Sequence, residues 1–186
     1  LRGFPVARRD QDIFLSWSVN TQDGNDLLGS GKLDGKGIPP DFFSNIHVRR
    51  AFQFCFNYDA YLKEAMLGEG VRSTTVMLPG MIGYDPNAPH YVYDPQRCQD
   101  ELRQSSFGGP SVWETGFTLK LPYPQGGQPI QKITENYERE LSALNPLFKV
   151  ESAALVPDDY WQRYAEDRLP LYTGSGIEDI HDPHNW

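Results

Sequence analysis

The sequence predicts an α/β fold in which a mixed sheet is covered by helices, within a single domain spanning residues 1–186. From residue 117 onward, short runs of branched and aromatic residues alternate with segments whose apolar residues recur at helical spacing. The connections between them are short, which favours a partly parallel sheet. With 186 residues, 39% hydrophobic and 13% aromatic, the chain suits one core and is too short for two comfortable domains.

The first half of the chain is predicted to contribute one strand and two helices. Residues 13–19 are rich in aromatic and branched side chains, which is typical of a strand, and the glycine-rich stretch 20–40 is typical of a long loop. Asn45 is placed to cap a first helix, and Asn57 a second. We expect the second helix to end at Gly68, where a left-handed residue fits.

The second half is predicted to alternate helices and strands after a surface crossing at 71–93, where periodicity is lacking. The predicted elements are, in order, a helix from Asp94–Pro95 to about Gln104, a strand at 117–121, a long helix at 130–144, a strand at 147–156, a short helix containing Trp161 and Tyr164, and a strand at 169–173. Trp161 and Tyr164 share a face of the short helix, and that pattern is more typical of core than of a pocket.

Composition excludes some partners. The net charge of −8 argues against nucleic acid, because no basic stripe is present to neutralise phosphates. No apolar run approaches the roughly 20 residues of a membrane span, and the start of the chain lacks the apolar core of a signal peptide. Since the chain lacks an initial methionine and stops at Trp186, we expect a piece of a longer protein.

The two cysteines, Cys55 and Cys98, lie 43 positions apart on the apolar faces of predicted helices. A disulfide between them is possible, but the apolar setting favours buried free thiols, since free cysteine behaves as a small hydrophobe. Cysteine content therefore says little about the cellular compartment.

The last thirteen residues, 174–186, are the strongest candidate for a functional site. They follow the predicted last strand and contain three carboxylates, two imidazoles and an indole. In open α/β sheets, ligands gather beyond the carboxyl ends of strands, so we expect 174–182 to form a crevice loop there. Asp179 is either a ligand-binding carboxylate or the cap of a turn, and Asp182-Pro183 is interpreted as a structural turn.

The same residues suggest two other types of chemistry. Asp179, His181, Asp182 and His184 could hold a divalent metal, but Pro183 stiffens the segment and the histidines lack helical spacing, so no metal is expected. Paired carboxylates at Asp179 and Asp182 could serve a hydrolase. Neither a serine elbow, nor a Cys–His pair, nor an HExxH motif accompanies them, so we expect neither an enzyme nor a cofactor.

Three motifs, in the same order along the chain, resemble the bacterial extracellular solute-binding proteins of family 5, which serve dipeptide, oligopeptide and nickel importers. Val48-Arg49-Arg50-Ala51-Phe52 with the following Asn57-Tyr58-Asp59 resembles their "vRxA…A-x-D" helix pair. Tyr93-Asp94-Pro95 resembles "YDPxxA", with Cys98 in the usual alanine place, and the end of the chain resembles "GWxxDxxDP". In that last motif Ser175 and Gly176 stand where the family has Gly and Trp.

The resemblance implies one lobe of a periplasmic-binding-protein-like clamshell of type II, cluster C, with the second lobe missing. It assigns Asp179 to the position that receives a peptide's amino terminus in peptide-binding members. It also suggests Trp161 and Arg168 as ligand-binding residues, because their seven-residue separation is found among the pocket residues of oligopeptide-binding relatives.

The resemblance also implies the protein's partners and its location. We expect a monomer that captures oligopeptides between two lobes and delivers them to the permease of an ABC importer. It would be periplasmic or extracellular and membrane-associated. Oligosaccharides and nickel complexes are the alternative ligands.

Overall fold

The computed structural model describes residues 11–22 and 24–177, which contain four strands and six α-helices. The strands are β1 Gln11–Trp17, β2 Phe117–Pro124, β3 Phe148–Leu155 and β4 Leu171–Ile177. The helices are α1 Ile46–Cys55, α2 Tyr58–Glu64, α3 Pro95–Gln104, α4 Val112–Thr115, α5 Gln128–Leu144 and α6 Pro157–Ala165. None of these helices has the length and apolar character needed to cross a membrane.

The strands form two hydrogen-bonded pairs within the described residues. β2 and β3 pair in parallel across the crossover helix α5, from Phe117 opposite Phe148 to Pro124 opposite Leu155. β1 and β4 pair antiparallel, and β4 also approaches β2. The mixed α/β class predicted from the sequence is therefore confirmed.

The helix starts follow the predicted caps. The side chains of Asn45, Asn57 and Asp94 accept hydrogen bonds from the backbone N–H groups of His47 (2.9 Å), Ala60 (3.1 Å) and Arg97 (3.0 Å). Each bond satisfies one of the amide groups that a helix leaves unpaired in its first turn. Segment 71–93 forms neither helix nor strand, as predicted.

The main core is aromatic and lies between the helices and the strands. Phe52 of α1 packs against Phe117 of β2 and Tyr137 of α5, with ring centroids 6.1 and 5.3 Å apart. Phe117 stacks in turn on Phe148 of β3 at 4.8 Å. Because aromatic rings bury the most apolar area per residue, these contacts fix how α1 and α5 sit on the parallel pair.

The predicted end of the last strand is wrong. β4 does not stop at Thr173 but runs to Ile177, with Gly174 opposite Phe14 and Gly176 opposite Asp12 in the register with β1. Pairing with β1 over the whole length of the strand outweighs the low strand propensity of glycine. The first residues of the expected crevice loop are therefore part of the sheet.

The expectation of free thiols is also wrong, because Cys55 and Cys98 form a disulfide. Their Cα atoms lie 5.3 Å apart, and both residues are almost fully buried. The bond joins the last residue of α1 to the first turn of α3. Helical spacing placed both cysteines correctly on inward faces, but it could not show that the two faces meet.

Candidate functional site

The parallel strands end at a common edge, which is where the fold predicts ligand contacts. β2 ends at Pro124, beside the end of β3 at Leu155, and the N–H of Gln125 donates to the Leu155 carbonyl at 2.8 Å. α5 begins just beyond β2, and α6 just beyond β3. Ligands in open α/β sheets bind outside such strand ends, so α6 is placed to carry ligand-contacting side chains.

Tyr160 fixes α6 against β4. It is fully buried, its hydroxyl donates to the Thr173 carbonyl at 2.8 Å and accepts from the Thr173 N–H at 3.0 Å. Burial raises the pKa of this phenol, so it stays protonated and able to donate. Tyr160 forms a small second core with Leu27 and Leu169, which we call the α6 cluster.

Trp161 and Tyr164 are turned outward, contrary to the expectation that they belong to the core. Trp161 is 50% exposed and Tyr164 43% exposed. Their rings meet edge to face at 5.8 Å, and Tyr164 meets Tyr172 of β4 at 4.9 Å. Exposed, mutually supported aromatic rings offer flat apolar surface on which the apolar parts of a ligand can pack. The core position on α6 belongs to Tyr160 instead.

Arg168 follows α6 and keeps much of its hydrogen-bonding capacity. Its guanidinium lies 3.4 Å from the Glu166 carboxylate, and both side chains are more than a third exposed, so this ion pair contributes little to stability. The backbone at Arg168 is firmly held, because its N–H donates to the Arg163 carbonyl at 2.9 Å and its carbonyl accepts from the Asn25 side chain. A fixed backbone below an available guanidinium is suitable for binding a carboxylate or carbonyl oxygen.

Arg163 ties α6 to the turn Asp26–Leu28, and sequence reasoning missed this contact. Its guanidinium lies 2.5 Å from the Asp26 carboxylate and 3.1 Å from the Asp159 carboxylate. The hydrogen bond from Arg163 is the main cause that lowers the pKa of Asp26. The two partners are 137 positions apart in the sequence, so no local pattern could have revealed the pair. Arg163 is therefore a positioning residue for α6.

Asp179, the strongest sequence candidate, lies outside the described residues. The same holds for Asp182, His181, His184 and Trp186, so the carboxylate–imidazole segment is not placed relative to Trp161 and Arg168. Within residues 11–22 and 24–177, no group of three or more His, Cys, Asp or Glu side chains is arranged to hold a metal ion. The described part of the candidate site therefore comprises α6 and the segment after it.

Comparison with known proteins gives one family match. Residues 6–186 match the model of the family described as bacterial extracellular solute-binding proteins, family 5 Middle. Among curated proteins, a dipeptide-binding protein of Escherichia coli (strain K12) is 30% identical over 77 residues, which are 41% of this chain and 13% of that protein.

Solved structures share the fold over most of this chain. A dipeptide-binding protein from Pseudoalteromonas sp. SM9913 in complex with Met-Leu superposes with a TM-score of 0.66 at 19% identity, covering 94% of this chain and 32% of that one. NikA from Brucella suis in complex with Fe(III)-EDTA gives a TM-score of 0.64 at 13% identity, covering 95% and 34%. At these identities the likeness shows the fold alone. The chain spans about a third of the length of these structures.

Proposed function

The chain belongs to the bacterial extracellular solute-binding proteins of family 5, and on that premise we propose that it is one lobe of the oligopeptide-capturing component of an ABC importer. The observation that carries the proposal is the family match over residues 6–186. The similarity to dipeptide-binding proteins from two organisms supports peptides as the solute class. The intact protein would work as a monomer outside the cytoplasmic membrane, associated with that membrane and with its permease.

The proposed mechanism is closure of two lobes around the solute. This chain covers about a third of the solved structures that it resembles, which fits one lobe of a larger clamshell. Hinged closure would bury the peptide and exclude water, and only the closed form would dock on the permease. Exclusion of water matters, because hydrogen bonds to charged groups are stronger in a water-poor cleft.

We propose that the three side chains suggested by the family resemblance contact the solute. The exposed ring of Trp161 would pack against the peptide's apolar side chains, and the Arg168 guanidinium would bind its carboxylate or carbonyl oxygens. Asp179 would accept hydrogen bonds from the peptide's terminal ammonium group. The outward orientation of Trp161 and the weakly paired state of Arg168 support the first two assignments.

The disulfide between Cys55 and Cys98 supports a location outside the cytoplasm. Disulfides form and persist in the periplasm and on cell surfaces, whereas cytosolic thiols are kept reduced. Both cysteines are buried in this fold, so the bond is structural rather than exposed to exchange. A periplasmic or extracellular protein would acquire it on export.

Replacing Asp179 with asparagine in the intact two-lobed protein tests the site. The variant keeps the shape but leaves the peptide's ammonium without its counter-charge, which typically costs about 2–5 kcal/mol in a desolvated pair. Since each 1.4 kcal/mol is tenfold in affinity, calorimetry should show peptide binding weakened by roughly 30-fold to several thousand-fold. An N-acetylated peptide should bind the unmutated protein just as poorly.

Asp59→Asn serves as the matched control, because Asp59 is an exposed carboxylate in the first turn of α2, and this variant should bind as the parent does. Equal affinity of Asp179→Asn and the parent for free-amine peptides would remove the ammonium assignment. Tighter binding of an oligosaccharide or a nickel chelate than of any peptide would replace peptides as the solute class.

A further inference from the structure

A second concave surface lies outside the α6 cluster. A groove of about 910 Å³ opens between α2, β1, the middle of α5 and the irregular segment 69–91. We call it the α2 groove. Its volume falls within the roughly 300–1,000 Å³ of small-molecule sites. No residue that lines it belongs to the α6 cluster of Leu27, Tyr160 and Leu169.

The floor of the α2 groove is apolar and aromatic. It is lined by Phe56, Tyr61, Leu62, Met66 and Ile133, of which Phe56, Tyr61 and Ile133 are buried. The polar end of Tyr61 is already satisfied, because its hydroxyl donates to the Pro129 carbonyl at 3.3 Å. An apolar molecule placed here would therefore displace water from hydrocarbon surface without leaving that hydroxyl unpaired.

One cationic side chain, that of Arg72, lines the groove beside these apolar residues. The guanidinium carbon of Arg72 lies 3.7 Å from the ring centroid of Tyr58, a cation–π contact that holds the side chain over the ring. The Tyr58 hydroxyl is engaged with the backbone and side-chain oxygens of Gln53, both at 3.0 Å. Among the described residues no carboxylate forms an ion pair with Arg72. A planar guanidinium held in this way presents its N–H groups in a fork that matches a carboxylate.

Two other ionisable side chains of the groove, Glu69 and His90, are less suited than Arg72 to bind an anion. Glu69 also lines the groove and is exposed, and it repels anions, so it would not hold a carboxylate. The Nδ1 atom of His90 lies 2.9 Å from the Ala88 carbonyl oxygen, which accounts for one nitrogen of that ring. Arg72 is thus the lining residue with the charge and the geometry to bind an anionic group.

The wall formed by segment 69–91 is anchored at both its middle and its end. Leu78 and Met81 are buried, each about 6% exposed, and the N–H of Met81 donates to the Leu78 carbonyl at 3.1 Å. Tyr91 packs edge to face on Phe54 at 5.0 Å, and the disulfide fixes α3 to α1 just beyond it. These anchors hold the groove open before any ligand arrives, which lowers the entropy lost on binding.

We propose that the α2 groove is a binding site for a small carboxylate with an apolar body, held by Arg72 above the aromatic floor. The residues that line it are distinct from those of the solute site proposed at α6. Its occupant is assigned by charge complementarity with Arg72 and by the apolar lining. A macromolecular partner covering the same surface is the competing assignment.

The probe is 4-phenylbutyrate, and its matched cation, 4-phenylbutylamine, has the same apolar body. Calorimetry on the 186-residue chain should show the carboxylate binding at least about tenfold more tightly than the amine. Arg72→Gln should weaken binding of the carboxylate by roughly ten- to a hundredfold, because it removes charge-assisted hydrogen bonds, and should leave the amine unchanged. Arg72→Lys should recover part of the loss.

Arg50→Gln is the matched control, since Arg50 is exposed on α1 and does not line the groove. Met66→Trp, which narrows the groove, should weaken the binding of 4-phenylbutyrate. Equal binding of the carboxylate and the amine, or equal loss in Arg50→Gln and Arg72→Gln, would overturn the proposal. Absence of binding together with self-association that Met66→Trp abolishes would assign the groove to a protein partner instead.

Discussion

Reduction of the Cys55–Cys98 disulfide should destabilise the chain strongly, because the bond closes a long loop in the unfolded state. The cysteines are 43 positions apart, and the loop between them contains α2 and the whole irregular segment up to α3. The unfolded chain therefore gains much more freedom than the folded one when the bond is broken.

The size of the effect follows from the loop length. Loop-closure entropy for 43 residues corresponds to about 4 kcal/mol at 25 °C. The entropy of unfolding at the midpoint is roughly 2 cal/mol/K per residue, so for a 186-residue chain this loss lowers Tm by about 10 °C. Burial of both sulfur atoms means that reduction requires at least local opening of α1 and α3.

The assay is thermal unfolding followed by circular dichroism, with and without dithiothreitol. Cys55→Ala/Cys98→Ala is the control: it should unfold near the reduced parent and be insensitive to dithiothreitol. A thiol count under denaturing, non-reducing conditions should find no free cysteine in the parent. Two free thiols, or a Tm that dithiothreitol changes by less than about 2 °C, would refute the reasoning.

Three further predictions concern the core, alkaline pH and metal content. Asn136→Ala should lower the free energy of unfolding in urea by about 3 kcal/mol, because the buried amide of Asn136 bonds both the N–H (3.0 Å) and the carbonyl (2.9 Å) of Asn57. Glu138 is exposed, so Glu138→Ala should change the free energy of unfolding by less than about 0.5 kcal/mol, as is usual for a surface substitution. Equal losses of stability in Asn136→Ala and Glu138→Ala would contradict the role of the Asn136 amide. Burial raises the pKa of Tyr61 to about 12, so its contribution to stability is complete below pH 10 and is lost as pH rises through 12. Between pH 9 and about 12, the free energy of unfolding in urea should fall less in Tyr61→Phe than in the parent. An identical fall with pH in both proteins would exclude a contribution from ionisation of Tyr61. Elemental analysis after purification without chelators should find no stoichiometric zinc or nickel; one ion per chain would favour a metal site at 179–184.

The starts of helices α1, α2 and α3 could be predicted from sequence because their signals are local. Asn45, Asn57 and Asp94 each lie two or three residues from the backbone N–H groups that they cap. Such bonds form within one turn and depend little on the rest of the fold. The limits of α3 were predicted closely for that reason.

Features that depend on distant residues were not predictable. Strand β4 continues through two glycines because β1, at the other end of the chain, pairs with it. The Cys55–Cys98 disulfide could not be predicted without knowing that α1 and α3 are neighbours in the fold. Sequence spacing also cannot tell which of the three aromatic residues on α6 turns inward. Tyr160 does so because its hydroxyl forms hydrogen bonds with the backbone of Thr173.

The candidate site was only partly accessible to sequence reasoning. Trp161 and Arg168 were named from a resemblance, and the structure adds that the ring is exposed and the guanidinium weakly paired. The contact of Arg163 with Asp26 was not predicted, because the two residues are distant in sequence. The assignment of Asp179 stays a prediction, since that residue lies outside the described part of the chain.

Calorimetric titration of one free-amine tripeptide into the 186-residue chain and into the intact two-lobed protein, side by side, tests the central claim most directly. A single lobe supplies only part of the contacts and cannot exclude water. We therefore expect micromolar or tighter binding by the intact protein, and binding at least about a hundredfold weaker, a loss of roughly 2.7 kcal/mol, by the chain alone. Micromolar binding by the chain alone, or no peptide binding by the intact protein, would contradict the account.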